Sequence, residues 1–301
     1  TGEEKQLGLV QIAGNTYCFN YPSLIGVYFF ESGSCLLIDT GAGKGQALAV
    51  LKDLDKRKIT VHSIFNTHHH ADHCTGNQVI QNSSNCSIYA SALEAALIEN
   101  PLFAPWTLYS AYPPPVLRNK SLLAPPSKVT GILKAGDQQI NGASFQVLDL
   151  KGHTLGQFGI VTPDGVAFLG DSLLPDDILN HIPFPYLADA TGHFITLDFL
   201  ENADFPHTVL THGGRVVDLK RLAERNREVC RAVIRLILEI TKEPTSREEI
   251  VSILIRELGL PLSTTQYYFI HTTTSAFLSY LNSINRIHLR LVDGNIKFTS
   301  I

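Results

Sequence analysis

Six consecutive residues limit this chain more than any other stretch: His68-His69-His70-Ala71-Asp72-His73. They follow directly on residues 60–65, Thr-Val-His-Ser-Ile-Phe, a short run with strand character. Four imidazoles and a carboxylate at the end of an apolar strand form a metal-ligand set rather than a solvated tract. In extended backbone, side chains two apart point the same way. His68 and His70 therefore converge on one point, while His69 faces away into the protein. Asp72 and His73 open the next turn and address a second point nearby.

Three further groups sit at the ends of strand-like runs. Lys151-Gly152-His153-Thr154 follows residues 144–150, Gly170-Asp171 closes 166–170, and His212-Gly213 follows 207–211. The carboxyl ends of strands are where open α/β sheets hold ligands. His68, His70, Asp72, His73, His153, Asp171 and His212 together make seven candidate ligands. Two metal ions about 3.5–4 Å apart, bridged by solvent, need roughly that number. Two divalent ions are expected, zinc first, with iron or manganese accepted by the same donors.

The rest of the chain gives these groups a frame. Residues 7–39 read as strands, and the third run ends in the turn Asp39-Thr40-Gly41-Ala42-Gly43. Helical periodicity follows at 46–54 and 92–99. Residues 101–128 hold seven of the 15 prolines, with Phe103, Trp106, Tyr109 and Tyr112, which excludes a long regular element. Strands return at 144–150, 158–162 and 166–170, the last two joined by Pro163-Asp164-Gly165. Residues 175–195 read as a second irregular, aromatic stretch, before a final short strand at 207–211. The order is that of an α/β protein without a strict βαβ repeat. Helices are expected at 222–241, at 246–258 behind the capping box Ser246-Arg247-Glu248-Glu249, and at 272–284. Strands 286–291 and 295–300 are joined by Asp293-Gly294, a hairpin signal. Three helices and a hairpin make a winged-helix-like module. The expected domains are a catalytic one over 1–222 and a winged-helix-like one over 223–301.

In this order the motifs resemble the metallo-β-lactamase superfamily, in its hydrolase branch that includes glyoxalase II. The resemblance rests on His68-x-His70-x-Asp72-His73, Gly152-His153-Thr154, Asp171, His212 and the Asp39-Thr40-Gly41 turn, over residues 7 to about 214. It implies a four-layer αβ/βα sandwich with the site along one edge. By that pattern His68, His70 and His153 hold the first metal. Asp72, His73 and His212 hold the second, and Asp171 bridges them, so that Asp72 and Asp171 are the catalytic carboxylates. Asp39 accepts hydrogen bonds from behind and orients ligands. The implied enzyme is a dinuclear metal-dependent hydrolase. Water shared by two cations loses a proton near neutral pH, and the bridging hydroxide attacks an ester or thioester carbonyl. Two alternatives stay open: a metal-dependent ribonuclease or phosphodiesterase, and a mononuclear iron persulfide dioxygenase, which uses only two His and one Asp.

Composition narrows the partners. The net charge is -4, which argues against a whole-protein electrostatic grip on nucleic acid. From Asn226 onward there are 9 Lys/Arg and 7 Asp/Glu, yet residues 272–284, the would-be recognition helix, have no Lys or Arg. Phosphate contacts dominate nucleic-acid affinity, so nucleic acid is a disfavoured partner. The aromatic stretches 101–115 and 182–194 favour a small-molecule substrate with a partly apolar acyl group. No apolar run approaches the roughly 20 residues that span a bilayer, so no membrane partner is expected. The C-terminal module is expected to serve as a lid or as a homo-oligomer interface. The five Cys show no C-x-x-C spacing and read as free thiols. With no signal peptide visible at the amino terminus, a cytoplasmic location is expected.

Overall fold

A computed structural model describes residues 8–301. Residues 1–7, which carry the expectation of no signal peptide and the start of the first strand run, lie outside the described residues. In chain order the first elements are β1 (Leu9–Ala13), β2 (Thr16–Phe19), β3 (Ile25–Phe29), β4 (Ser34–Ile38), α1 (Lys44–Lys56) and β5 (Thr60–Phe65). Then come α2 (Ala71–Cys74), α3 (Asn77–Ser84), β6 (Ser87–Ala90), α4 (Ala92–Glu99), α5 (Phe103–Tyr109), β7 (Gly131–Ile132), β8 (Gly136–Ile140) and β9 (Ala143–Asp149). They are followed by β10 (Phe158–Val161), β11 (Val166–Phe168), α6 (Asp176–His181), α7 (Ala190–Asn202), β12 (His207–Leu210) and β13 (Gly214–Val216). The chain ends with α8 (Leu219–Ile240), α9 (Arg247–Glu257), α10 (Thr264–Ser283), β14 (Ile287–Val292) and β15 (Asn295–Ser300).

The chain divides into two compact units. The first comprises the chain up to Leu150 with Gly156–Ser172 and Asp204–Val217. It holds a seven-stranded sheet in the order β1 to β7 and a six-stranded sheet in the order β13-β12-β11-β10-β9-β8. Strand β4 shows why the sheets stack. All five of its residues are buried, so it must be covered on both faces. Leu36 and Ile38 pack between the sheets with Tyr28, Phe65, Phe145, Ile160 and Phe168. Cys35 and Leu37 face the other way, against Ala47, Val50 and Leu54 of α1 and Ile80 of α3. The period of two along the strand thus builds two cores from one run. The expected α/β sandwich is borne out.

The second unit comprises Lys151–Leu155, Leu173–Ala203 and Asp218–Ile301. Its core joins Val233, Ile237, Ile250, Leu254 and Phe277 of the C-terminal helices to Phe184, Leu187 and Ala190. The compact units therefore do not divide at residue 222. Residues 173–203 share a core with the C-terminal helices, because their aromatic side chains find partners there: Tyr186 lies 5.2 Å from Phe269 and Phe194 4.9 Å from Tyr280. The stretch 175–195 is also not irregular throughout. It contains α6 and the start of α7, a 13-residue helix whose buried Ala190, His193, Leu197 and Leu200 recur at helical spacing. The expected helix 272–284 begins eight residues earlier, at Thr264, where Ser263 caps it by accepting from the Gln266 amide. Strands β14 and β15 pair antiparallel, and the turn residues Asp293 and Gly294 both have positive φ, as a two-residue hairpin turn of this hand requires.

Candidate metal centre

The site is built where strands of both sheets in the first unit end. Strand β5 runs parallel between β4 and β6, with Phe65 opposite Ile38 and Tyr89. The residues that leave it, Asn66, Thr67 and His68, are all buried. Extended backbone continues to His70, which sits at φ -60°, ψ 147° before the single turn α2 begins. That switch from extended to helical separates His68 and His70 from Asp72 and His73. His68 Nε2 and His70 Nδ1 lie 3.0 Å apart. The side chains of Asp72 and His73 emerge from the turn that follows.

Asp39 sets the orientation of His73. It follows β4 with φ 59°, a left-handed conformation that a non-glycine residue rarely adopts. Its carboxylate accepts from the Thr67 amide and hydroxyl, each at 2.8 Å, and from His73 Nδ1 at 2.8 Å. Asp39 caps no helix, since α1 starts behind Gly43. Beneath it, Thr40 donates from its amide to the His73 carbonyl at 2.7 Å, and its hydroxyl joins Asn77 and Asn66 in a buried amide network.

With Nδ1 committed to Asp39, His73 Nε2 faces two carboxylates. It lies 3.4 Å from Asp171 Oδ1 and 3.7 Å from Asp72 Oδ2. It is buried and makes no hydrogen bond among the described residues. His212 donates from Nδ1 to the Pro22 carbonyl at 3.2 Å, which leaves its Nε2 at 3.0 Å from Asp72 Oδ2 and 3.5 Å from Asp171 Oδ2. The Asp171 amide donates to Gln157 Oε1 at 3.3 Å. Ligand atoms of His68, His73 and Asp171 lie within 4.8 Å of one another, as do those of Asp72, His73 and His212.

These spacings fit metal ions. Two ligand atoms at about 2.1 Å from a tetrahedral ion are about 3.4 Å apart. Charge points the same way. Burial alone would lower the His73 pKa, but Asp171, Asp39 and Asp72 raise it well above its usual 6.5. The hydrogen bond to Asp72 raises that of His212 against the cost of burial. Burial would raise the Asp72 pKa, yet the imidazoles of His73, His70 and His212 hold its carboxyl far below the usual carboxylate range. A pocket of carboxylates that draws protons onto buried imidazoles will equally draw a divalent cation.

His153 stands on Lys151–Leu155, the short segment that belongs to the second unit. Its surroundings there hold it firmly. The Lys151 carbonyl accepts from Thr196 Oγ1 at 2.7 Å, and the Gly152 carbonyl from the amides of Ala188 and Asp189. Gly152 has φ 138°, and a Cβ on it would lie 2.6 Å from the His193 backbone, so only glycine fits. His153 Nδ1 donates to the Tyr186 carbonyl at 3.2 Å, which leaves Nε2 as the nitrogen that a metal ion could take.

The remaining histidines divide simply. His69 turns inward, as the alternation predicts, with Nδ1 and its amide on Glu94. His193 is 3% exposed, and burial lowers its pKa to about 3. It is a buried, neutral imidazole of helix α7. Cys74 is buried, with its thiol on the His69 and His70 carbonyls, and burial raises its pKa well above 9.0. Sequence reading missed Glu94, Gln157 and Ser23, whose hydroxyl lies 3.3 Å from Asp72. Only Glu94 left a trace, three residues after Ser91 in the spacing of a capping box.

Comparison with known proteins agrees with this geometry. The family profile described as the metallo-beta-lactamase superfamily matches residues 21–216. The chain belongs to that superfamily. A hydroxyacylglutathione hydrolase from Hyphomonas neptunium is 31% identical over 147 residues, 47% of this chain and 44% of its own length. Hydroxyacylglutathione hydrolase 1 from Vibrio vulnificus is 24% identical over 245 residues, 75% of this chain and 84% of its own. The chain thus spans less than half of the first of these relatives. Among solved structures, a metallo-beta-lactamase family protein from Thermus thermophilus superposes with a TM-score of 0.72 at 19% identity, covering 95% of this chain and 99% of that one. A beta-lactamase domain protein from Burkholderia ambifaria gives 0.76 at 15% identity, covering 100% and 95%. At these identities the likeness is one of fold.

Proposed function

We propose that this protein is a metal-dependent hydrolase that cleaves a carboxylic thioester or ester with two divalent ions, zinc first. The observation that carries the reading is the buried His73 Nε2, which faces Asp72 and Asp171 and makes no hydrogen bond among the described residues. His68, His70 and His153 would hold one ion, Asp72, His73 and His212 the other, and Asp171 both. Bound there, divalent cations supply water of lowered pKa and an electrophile for the substrate carbonyl. Asp39 keeps His73 in the tautomer that presents Nε2, and Pro22 does the same for His212. A thiol leaving group, with a pKa of about 8.5, departs as thiolate without a general acid, whereas an alkoxide would need one. The curated relatives named for hydroxyacylglutathione support thioester chemistry. The aromatic stretch 101–115, with Phe103, Trp106 and Tyr109 exposed, supports a partly apolar acyl group.

Two further parts of the proposal concern the whole molecule. Residues 223–301, which share a core with residues 173–203, serve as the winged-helix-like part of a unit that pairs copies of the chain. Helix α10 carries no Lys or Arg over its full length, which disfavours nucleic acid as its partner. Five free, buried cysteines support residence in the cytoplasm. Among the described residues, no helix is long and apolar enough to cross a membrane.

The test is metal analysis joined to a substrate panel of acyl thioesters, lactones, phosphodiesters and glutathione persulfide. Two zinc ions per chain with thioester turnover is the expected result. One iron per chain with oxygen uptake on the persulfide would replace the proposal with a dioxygenase. Turnover of phosphodiesters alone would replace it with a nuclease.

A further inference from the structure

The motif His68-His69-His70 contains one histidine that holds no metal in the reading above, and the structure gives it a partner of its own. Glu94 is the third residue of helix α4 and only 1% exposed. A carboxylate that deep is costly unless its oxygens are met by donors. Donors meet both of its oxygens. Oε2 accepts from the His69 amide at 2.8 Å and from His69 Nδ1. Oε1 accepts from the Gly156 amide at 3.1 Å. None of these bonds helps α4, whose cap is already made by Ser91 Oγ, which accepts from the Glu94 amide at 3.3 Å. Gly156 is held on its other side as well. A Cβ there would lie 2.7 Å from Ser91 Oγ, 2.9 Å from Leu93 Cβ and 3.0 Å from Glu94 Oε1. The first turn of α4 therefore clamps two pieces of chain at once. One is the middle residue of the ligand stretch that leaves β5. The other is the point where the chain returns to the first unit, three residues after His153.

We propose that Glu94 is a positioning residue for the metal site, acting through His69 and Gly156; this rests on the reading that His68 and His70 hold a metal. In extended backbone, His68 and His70 take their direction from the residue between them. Two bonds from His69 to one fixed carboxylate, through main chain and ring, lock that residue against both rotation and translation. The ligand imidazoles are then preorganised before any ion arrives, which is where supporting groups exert their effect on metal affinity.

The experiment compares wild type, Glu94→Gln, His69→Ala and the double variant. Zinc affinity is read by chelator competition, and folding by circular dichroism and thermal melting of the metal-free protein. Nitrogen-correlated NMR of the metal-free wild type should show His69 in the Nδ1–H tautomer, and Glu94→Gln should lose that signature. Each single variant is expected to remain folded and to weaken zinc binding by about 10–100-fold. The double variant should be no weaker than the worse single one, because both remove the same clamp. Wild-type zinc affinity in both single variants would overturn the proposal and leave Glu94 with a purely structural role. Additive losses would overturn the route through His69. Absence of zinc from the wild type would sink the underlying reading of the site instead, which the first measurement reveals on its own.

Discussion

His73 and His193 are equally buried imidazoles, one at the strand ends of the first unit and one on helix α7 of the second. In each, a ring nitrogen makes no hydrogen bond among the described residues. Their acid–base behaviour is opposite. Burial disfavours the charged form of both, and for His193 it prevails, with nearby His153 and Arg227 pressing the same way, to a pKa of about 3. At His73 three carboxylates outweigh the same penalty. Burial alone therefore does not mark a functional histidine. What sets His73 apart is the concentration of negative charge that the fold has gathered around it.

The largest way to test that contrast is to remove the charge. Asp171→Ala or His70→Ala is expected to abolish hydrolysis, by a factor on the order of 10³ or more, and to lower metal content while the chain stays folded. Full activity with full metal content in either variant would end the assignment. Asp39→Asn should act more mildly, since it keeps the volume and one acceptor. Zinc affinity falling by about 10–100-fold would place Asp39 behind His73 as argued, and an unchanged affinity would not.

The pH dependence should separate the two histidines further. In the metal-free protein His73 and His212 have raised pKa values. Their stabilising contribution is full below the usual 6.5 and is lost as pH rises through the raised folded values. Metal binding runs the other way, because protons compete for the same nitrogens, so zinc affinity should fall as pH is lowered. His193 contributes stability that is full above 6.5 and lost progressively as pH falls toward about 3. Urea unfolding of the chelator-treated protein across roughly pH 4–9 measures these opposing slopes. The smallest effect is expected from His193→Leu. It replaces a neutral ring with an apolar side chain and should change stability by no more than about 1 kcal/mol near neutral pH, while flattening the acid limb. A loss of several kcal/mol would show that His193 has a partner of consequence.

The two aromatic stretches carry a second contrast. Both are rich in Pro and aromatic residues, and the sequence offers no means of telling them apart. In the first, Phe103, Trp106 and Tyr112 stay exposed. In the second, Phe184 is buried, and Tyr186 and Phe194 pack on α10. The difference lies in partners distant in the chain, which local pattern cannot reveal. For the same reason α7 is hidden behind the prolines that precede it, and the compact second unit gathers residues 173–203 that no composition shift at 222 could announce. Glu94 is equally hard to read. Its spacing from Ser91 suggests an ordinary helix start, and only the fold shows the carboxylate turned toward His69.

By itself the sequence determined the run of strands in outline, the hairpins at Asp164 and Asp293, and a set of candidate ligands at strand ends. These follow from periodicity, turn chemistry and residue type, all local properties. Tertiary structure alone decided which nitrogen of His73 faces the carboxylates, how strongly three of them act on it, and what supports His69 and His153. Those depend on distances between residues tens of positions apart, and on the exclusion of water that makes each charge count.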